Sequence, residues 1–137
     1  MKVFIDTSAF CALTIPHDQH NMQGKSLYNQ LKQRQSLIYT SDYVLDEVYT
    51  LLKSRGSHQT SIKFMEQLNK SSIVILRITE EVEEEAKDIF RRFMEKKLSF
   101  TDCTSFALIN RNGIEAVFAF DKHFRYHPYS HSVEFFV

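Results

Sequence analysis

Four acidic residues of this chain stand where a predicted strand ends or on a predicted helix: Asp6, Glu47, Asp102 and Asp121. Asp6 comes directly after the apolar residues 3–5, and Asp121 follows the apolar run at 116–119. The carboxyl ends of parallel strands form the edge at which open α/β sheets bind ligands. Both aspartates are therefore candidate metal ligands, although a simple helix cap would explain Asp6 equally well.

The other two acids lie on predicted helices. Val44, Val48 and Leu51 repeat along one face of a helix predicted over residues 43–53, and Glu47 lies at the border of that apolar stripe. Asp102 opens a largely apolar helix, for which Thr101 is the predicted N-cap, and the Asn-Gly pair at 112–113 ends that helix. A solvated glutamate and an aspartate that only favours a helix start remain the alternative interpretations.

Clustered carboxylates have a definite chemistry. Four of them brought together repel one another, and the pKa of each is raised. A divalent cation removes that penalty, and hard oxygen ligands favour Mg²⁺ or Mn²⁺. Such ions orient and deprotonate water and stabilise the leaving oxygen of a phosphodiester. Thr7, Ser8 and Thr101 are candidates to hold the carboxylates or waters in place, and Thr7 or Ser8 is also predicted to cap the first helix.

Strands and helices alternate along the whole chain. Strands are predicted at residues 3–5, 37–39, 73–76, 116–119 and 133–136. Helices are predicted at residues 9–13, 17–35, 43–53, from Ser57 or Thr60 onward with Ile62, Phe64, Met65 and Leu68 as its apolar side, 80–97, and 102–111. This order predicts an α/β fold, a three-layer α/β/α sandwich with a central, mainly parallel sheet. Residues 1–137 are expected to form a single domain.

The composition limits the function classes. The 137 residues are 43% hydrophobic and 25% charged, as in ordinary globular proteins. Seventeen basic residues balance seventeen acidic ones, which argues against binding nucleic acid through charge alone but allows a local basic surface. No apolar run approaches the roughly 18 residues of a membrane span, and Asp6 comes too early for a signal peptide. Cys11 and Cys103 are expected to be buried free thiols in a reducing cytoplasm.

Three other groups of residues are not predicted to take part in catalysis or metal binding. The glutamates within residues 80–85 are interpreted as the solvated start of a helix. Three histidines have the spacing of helical zinc ligands, but Pro128 interrupts the helix they would need, so they are expected on the surface or in loops; they are His123, His127 and His131. Basic residues that could contact phosphates are Lys53, Arg55, Arg91, Arg92, Lys96, Lys97, Lys122 and Arg125.

Four segments, taken in order, resemble the PIN-domain family, most closely the VapC-type toxin ribonucleases of toxin–antitoxin pairs. The segments are residues 4–10 (Phe-Ile-Asp-Thr-Ser-Ala-Phe), 44–48 (Val-Leu-Asp-Glu-Val), 100–108 (Phe-Thr-Asp-Cys-Thr-Ser-Phe-Ala-Leu) and 119–124 (Ala-Phe-Asp-Lys-His-Phe). Any one of them is a weak signal, whereas four in the expected order are specific. The resemblance covers essentially the whole chain.

The resemblance implies an Mg²⁺- or Mn²⁺-dependent endoribonuclease made of one PIN-like nuclease domain, residues 1–137. Its catalytic and metal-binding acids would be Asp6, Glu47, Asp102 and Asp121, of which the last occupies the position that varies most in the family. The resemblance also implies an RNA substrate, a cognate antitoxin that inhibits the protein, a homodimer and a cytoplasmic location without membrane contact. The alternatives are a non-catalytic PIN-like module that binds RNA or protein, and a metal-dependent phosphatase or DNA nuclease that shares the chemistry.

Overall fold

The computed structural model describes residues 1–136; Val137, the last residue of the predicted domain, lies outside them. The strands are β1 (Lys2–Ile5), β2 (Leu37–Ser41), β3 (Val74–Leu76), β4 (Ala116–Phe118) and β5 (Glu134–Phe136). The helices are α1 (Thr7–Thr14), α2 (Asn21–Gln33), α3 (Asp42–Arg55), α4 (His58–Lys70), α5 (Glu80–Arg92), α6 (Phe100–Arg111) and α7 (His123–Tyr126).

The five strands form one sheet in the order β3-β2-β1-β4-β5, and every pair is parallel. The central strand β1 is buried on both faces, which is why Val3, Phe4 and Ile5 form a continuous apolar run. The chain moves from β1 to β3 in one direction and from β3 to β5 in the other. Right-handed crossovers therefore place α1–α4 and α5–α6 on opposite faces of the sheet. The predicted three-layer α/β/α fold is confirmed.

Two helix caps differ from the prediction. The N-cap of α1 is Asp6, whose side chain accepts a hydrogen bond from the Ser8 N–H, so neither Thr7 nor Ser8 fills that role. The N-cap of α6 is Ser99 rather than Thr101, and the helix begins at Phe100. In both cases the acid predicted to be functional takes part in the cap, because its carboxylate is the acceptor nearest to the free N–H groups.

Two predicted helix boundaries, the start of α2 and the end of α5, were also wrong. The helix predicted over residues 17–35 begins only at Asn21, because residues 16–20 form turns after Pro16. The helix predicted over residues 80–97 ends at Arg92, where Phe93 takes an extended conformation and its N–H bonds the Ile89 carbonyl. Residues 93–99 therefore form an irregular segment that carries the chain to the start of α6.

The core follows most of the predicted apolar stripes. Phe64 and Leu68 of α4 are buried, whereas Ile62 and Met65 are more than one-third exposed. Cys11 and Cys103 are buried free thiols, as predicted. Within residues 1–136, no helix combines the length and the apolar character needed to cross a lipid bilayer.

Candidate active site

The four acids singled out by the sequence meet in one open pocket at the carboxyl edge of the sheet, which we call the acid pocket. Asp6 directly follows β1 and Asp121 follows the neighbouring strand β4, while Glu47 and Asp102 come from the helices α3 and α6. The pocket has a volume of about 300 Å³. Its lining residues are Asp6, Thr7, Ser8, Cys11, Glu47, Leu51, Arg55, Lys97, Ser99, Asp102 and Asp121.

Asp6 is fixed by the turn between β1 and α1. Its N–H donates to the Phe118 carbonyl of β4 over 3.1 Å, which anchors the turn to the neighbouring strand. Its Oδ2 accepts from the Ser8 hydroxyl (3.1 Å) and from the Ser8 N–H (3.4 Å). The same hydroxyl accepts from the Phe120 N–H over 2.9 Å, so Ser8 connects Asp6 to the segment that carries Asp121.

Asp102 belongs to a capping box at the start of α6. The Asp102 N–H donates to the Ser99 hydroxyl (3.0 Å), and the Ser99 N–H donates back to Asp102 Oδ2 (3.2 Å). Reciprocal bonds of this kind hold a side chain in one rotamer while satisfying free helix N–H groups. Thr101, predicted to cap this helix and to support the acids, does not line the acid pocket, whereas Ser99 does.

Asp121 is held by His123, a residue that was predicted to lie on the surface or in a loop. Asp121 Oδ1 accepts from the His123 N–H (2.9 Å) and lies 2.7 Å from His123 Nδ1, and His123 Nε2 lies 2.9 Å from Glu95 Oε1. The His123 side chain is only 9% exposed. One ligand atom each of Asp102, Asp121 and His123 lie within 4.8 Å of one another. The Asp-x-His spacing is an Asx-turn signal that could have indicated this contact.

The three aspartates share one arrangement. Each uses a single oxygen for a local hydrogen bond: Oδ2 of Asp6 to Ser8, Oδ2 of Asp102 to Ser99, and Oδ1 of Asp121 to His123. Within residues 1–136 the second oxygen of each makes no hydrogen bond. A helix-cap role and a ligand role therefore do not exclude each other, because they fall on different atoms of one carboxylate.

Burial and mutual repulsion raise the pKa of two of the acids. Asp6 is 3% exposed, and burial, followed by the charge of Asp102, raises its pKa from 3.8 to about 7 even though the N–H groups of Thr7 and Ser8 oppose the shift. Burial raises the pKa of Asp102 to about 6; Ser99 opposes the rise, and the charges of Asp121 and Glu47 add to it. Both carboxylates are thus buried among other acids without a compensating positive charge from residues 1–136.

The residues present fit a hard divalent cation. The carboxylates that line the pocket belong to Asp6, Glu47, Asp102 and Asp121, and Mg²⁺ and Mn²⁺ prefer oxygen ligands of this kind. Thr7 Oγ1, which is buried and has no hydrogen-bond partner within residues 1–136, adds an unsatisfied polar atom in the same lining. A cation at this place would offset the burial and the repulsion that together raise both pKa values.

In the part of the chain that the structure describes, the glutamates of residues 80–85 and the three spaced histidines take no part in a metal site of their own. The acidic run lies at the solvent-facing start of α5, as predicted, and there Glu81 and Glu85 pair with Arg111 while Glu83 and Glu84 pair with Lys87. His127 stacks on Phe106 at 4.1 Å, and His131 Nε2 lies 2.6 Å from the Ile114 carbonyl. Since each ring has a different neighbour, the three spaced histidines do not form a zinc site.

The fold and the pocket define a class of protein. Residues 3–128 match the family model of the PIN domain. The chain therefore belongs to the PIN-domain family. The predicted likeness to VapC-type ribonucleases within this family is also confirmed, by the relatives below.

The chain is 31% identical over 122 residues to a Mycobacterium tuberculosis protein named 23S rRNA-specific endonuclease VapC20, and the match covers 89% of this chain and 91% of that protein. It also superposes on a crystal structure of M. tuberculosis VapC20, described as a sarcin–ricin loop cleaving toxin, with a TM-score of 0.82 and 30% identity over 90% of this chain and 92% of the other. The relationship therefore covers nearly all of both proteins.

Two more distant structures share the fold. VapBC2 from Rickettsia felis, bound to a DNA fragment from its promoter, gives a TM-score of 0.72 at 18% identity, with all of both chains covered. FitAcB from Neisseria gonorrhoeae gives 0.65 at 16% identity, with 88% of each chain covered. At these identities the similarity concerns the fold alone.

Proposed function

We propose that this protein is a metal-dependent endoribonuclease that uses Mg²⁺ or Mn²⁺ and acts as the toxin of a toxin–antitoxin pair. The observation that carries the proposal is the convergence of Asp6, Glu47, Asp102 and Asp121 in one pocket of a PIN domain. The 31% identity to a ribosomal RNA endonuclease supports RNA as the substrate. In this proposal the four acids are both the metal ligands and the catalytic residues.

Each part of the pocket has a task in phosphodiester hydrolysis. A bound Mg²⁺ or Mn²⁺ supplies Lewis-acid stabilisation of phosphate charge and lowers the pKa of water. Ser8, Ser99 and His123 each hold one oxygen of an aspartate, which leaves the other oxygen free of hydrogen bonds from residues 1–136 and available to a metal ion. Arg55 and Lys97 line the same pocket and offer positive charge to the RNA phosphate.

The wider assignments follow from the same proposal. Residues 1–137 form one PIN-like nuclease domain, which acts as a homodimer in the cytoplasm and is inhibited by a cognate antitoxin protein. The fold is shared with chains crystallised in VapBC complexes, which supports the search for such an antitoxin.

The test is cleavage of two RNAs, a sarcin–ricin stem–loop and an unstructured RNA of equal length, with Mg²⁺, with Mn²⁺ and with EDTA. Wild type is expected to cleave at least one of the two RNAs with Mg²⁺ or Mn²⁺ and neither RNA with EDTA. The cleavage rate is expected to fall at least about 100-fold in Asp6→Asn, Glu47→Gln and Asp102→Asn. Asp46→Asn is the matched control, because Asp46 is an exposed neighbour of Glu47 on α3.

Three outcomes contradict the proposal. An inactive wild type, or acid variants that still cleave, would remove the catalytic assignment. Tight RNA binding without cleavage would indicate the non-catalytic module instead. Faster hydrolysis of a DNA copy or of p-nitrophenyl phosphate would indicate the DNA nuclease or the phosphatase.

A further inference from the structure

A second cleft opens beside the acid pocket, and we call it the aromatic cleft. It has a volume of about 280 Å³, and its apolar and aromatic walls are Phe93, Met94, Leu98, Phe106, Tyr126 and His127. Two of these side chains, Met94 and Tyr126, are 91% and 74% exposed. A ligand that covers these side chains would remove apolar surface from water, which favours binding. Of the residues that line this cleft, the proposed cleavage chemistry uses only His123, together with its partner Glu95.

The cleft presents flat aromatic surface that is already in place. Phe106 is buried, and the His127 ring lies parallel to it at 4.1 Å with an interplanar angle of 11°. Phe93 contacts the same imidazole edge-on at 5.5 Å. Burial, followed by the charge of Arg92, lowers the pKa of His127 to about 4, so the imidazole is uncharged at neutral pH. Such walls suit a planar aromatic ligand.

The aromatic cleft and the acid pocket share a wall. Glu95 and Leu98 line the aromatic cleft, whereas Lys97 and Ser99, from the same short segment, line the acid pocket. His123 also lines the aromatic cleft, and its ring holds Asp121 of the acid pocket. When one unit of a polymer is bound in the acid pocket, the adjacent unit can therefore reach the aromatic cleft.

The charge around the shared wall suits a polyanion. Arg92 lines the cleft, Lys97 lines the pocket, and Lys96 lies between them in sequence; all three are exposed. Within residues 1–136 none of the three forms an ion pair, although the chain as a whole has zero net charge. Free cations beside an apolar cleft are what phosphates and bases of single-stranded nucleic acid contact. The small volume suits one planar ring better than the row of side chains with which a helix docks.

We propose that the aromatic cleft binds one unpaired base of the RNA substrate, adjacent to the phosphodiester in the acid pocket. This inference rests on the proposed ribonuclease function. The base stacks against the His127–Phe93 wall and is covered by Tyr126 and Met94, and Glu95, which also lines the cleft, offers a hydrogen-bond acceptor to the edge of the base. The cleft thereby selects RNA whose base at this position is free to leave its own stack.

Binding is tested with the sarcin–ricin stem–loop and the unstructured RNA, both fluorescein-labelled, in an Asp102→Asn background so that the RNA stays intact. Tyr126→Leu and Met94→Ala are expected to weaken the affinity for the preferred RNA about tenfold each, the usual size of one lost base stack. Tyr126→Phe, which keeps the ring, is expected to lose less than Tyr126→Leu. Met22→Ala is the control, because Met22 is 86% exposed on α2 and lines neither the cleft nor the pocket.

Abasic nucleotides then locate the base. When single bases beside the cleavage site are removed in turn, one abasic RNA is expected to bind wild type about tenfold more weakly, and the Tyr126→Leu loss is expected to shrink to less than threefold on that RNA. Equal affinity of wild type and Tyr126→Leu for every RNA, or no RNA binding at all, overturns the inference. A change in self-association without a change in RNA affinity also overturns it and makes the cleft a protein interface. Cleavage by the wild-type protein is measured separately, so a failed nuclease and a failed base site give different results.

Discussion

His123 lies between two carboxylates, with Nδ1 2.7 Å from Asp121 Oδ1 and Nε2 2.9 Å from Glu95 Oε1. Ionised carboxylates only accept hydrogen bonds, so the ring satisfies both partners as an imidazolium. Burial lowers the pKa of His123, but the hydrogen bond to Glu95 and the charge of Asp121 outweigh burial and raise it. The fourth acid of the pocket is thus held by an imidazole ring that is itself fixed by the segment before α6.

Substitution of His123 is expected to weaken metal binding through Asp121. The amide of Asn reproduces the Nδ1 position and that of Gln the Nε2 position, so His123→Asn keeps the contact with Asp121 while His123→Gln keeps the one with Glu95. We expect His123→Gln to lower Mn²⁺ affinity about 10- to 100-fold, and His123→Asn to lower it less. Calorimetric titration with Mn²⁺ measures both, with His58→Gln on α4 as the control. Equal affinities for the two variants would contradict a positioning role.

Ser99 is expected to matter more than Thr101, although both are hydroxyl residues at the start of α6. Ser99→Ala removes the acceptor for the Asp102 N–H and releases the capping box, which costs about 1 kcal/mol of stability. It also frees the Asp102 side chain, so we expect about tenfold slower RNA cleavage. Thr101→Ala is the matched control and should stay within about 0.5 kcal/mol. Chemical denaturation and initial cleavage rates measure the two effects; equal effects of both substitutions would contradict them.

Asp6 is expected to make the metal-free protein less stable as pH rises. Its pKa is 3.8 ordinarily and about 7 in the folded chain, so the folded state retains a proton that the unfolded state loses between these values. The contribution of the protonated carboxyl is complete below pH 3.8, declines as pH rises toward 7, and is lost above it. Asp6→Asn keeps a neutral side chain and avoids this loss.

Between pH 5 and pH 8 in EDTA, the unfolding free energy of wild type should fall by about 2–3 kcal/mol relative to that of Asp6→Asn. Saturating Mg²⁺ at pH 8 should restore wild type and have little effect on the variant. Urea denaturation at each pH measures both quantities, and Asp46→Asn serves as the surface control. If the curves for wild type and Asp6→Asn are parallel, the pKa of Asp6 is not raised in the folded, metal-free protein and the prediction is wrong.

Much of the site could be predicted from the sequence, because β1 and β4 are short buried strands and an acid follows each. A central parallel strand is apolar at every position, so its end is visible as the first charged residue. The two apolar runs therefore predict that Asp6 and Asp121 lie at one edge of the sheet. For Glu47, the position of the apolar stripe of α3 was enough to predict that the side chain lies at the border of the buried face.

The segment at residues 93–99 could not be predicted in the same way. It contains neither glycine nor proline, and Lys96 and Lys97 are typical of a helix end, so helix propensity alone extends α5 to residue 97. The helix nevertheless ends at Arg92, where Phe93 turns to an extended conformation and the chain leaves for Ser99 beside the acid pocket. Ser99 itself had a local signal, since an acid three residues after a serine forms a capping box. Thr101, adjacent to Asp102, was the more conspicuous choice and was wrong.

Arg55 and Lys97 are expected to bind the RNA phosphate, because both line the acid pocket and neither forms an ion pair within residues 1–136. Arg55→Ala and Lys97→Ala should each raise KM about tenfold and change kcat less. Each should also reduce the slope of log affinity against log salt by about one unit, since one phosphate contact is lost. Lys70→Ala, at the far end of α4, is the matched control and should alter neither quantity. Cleavage kinetics at several salt concentrations measure both, and a loss in kcat with an unchanged salt slope would assign these cations to the chemical step instead.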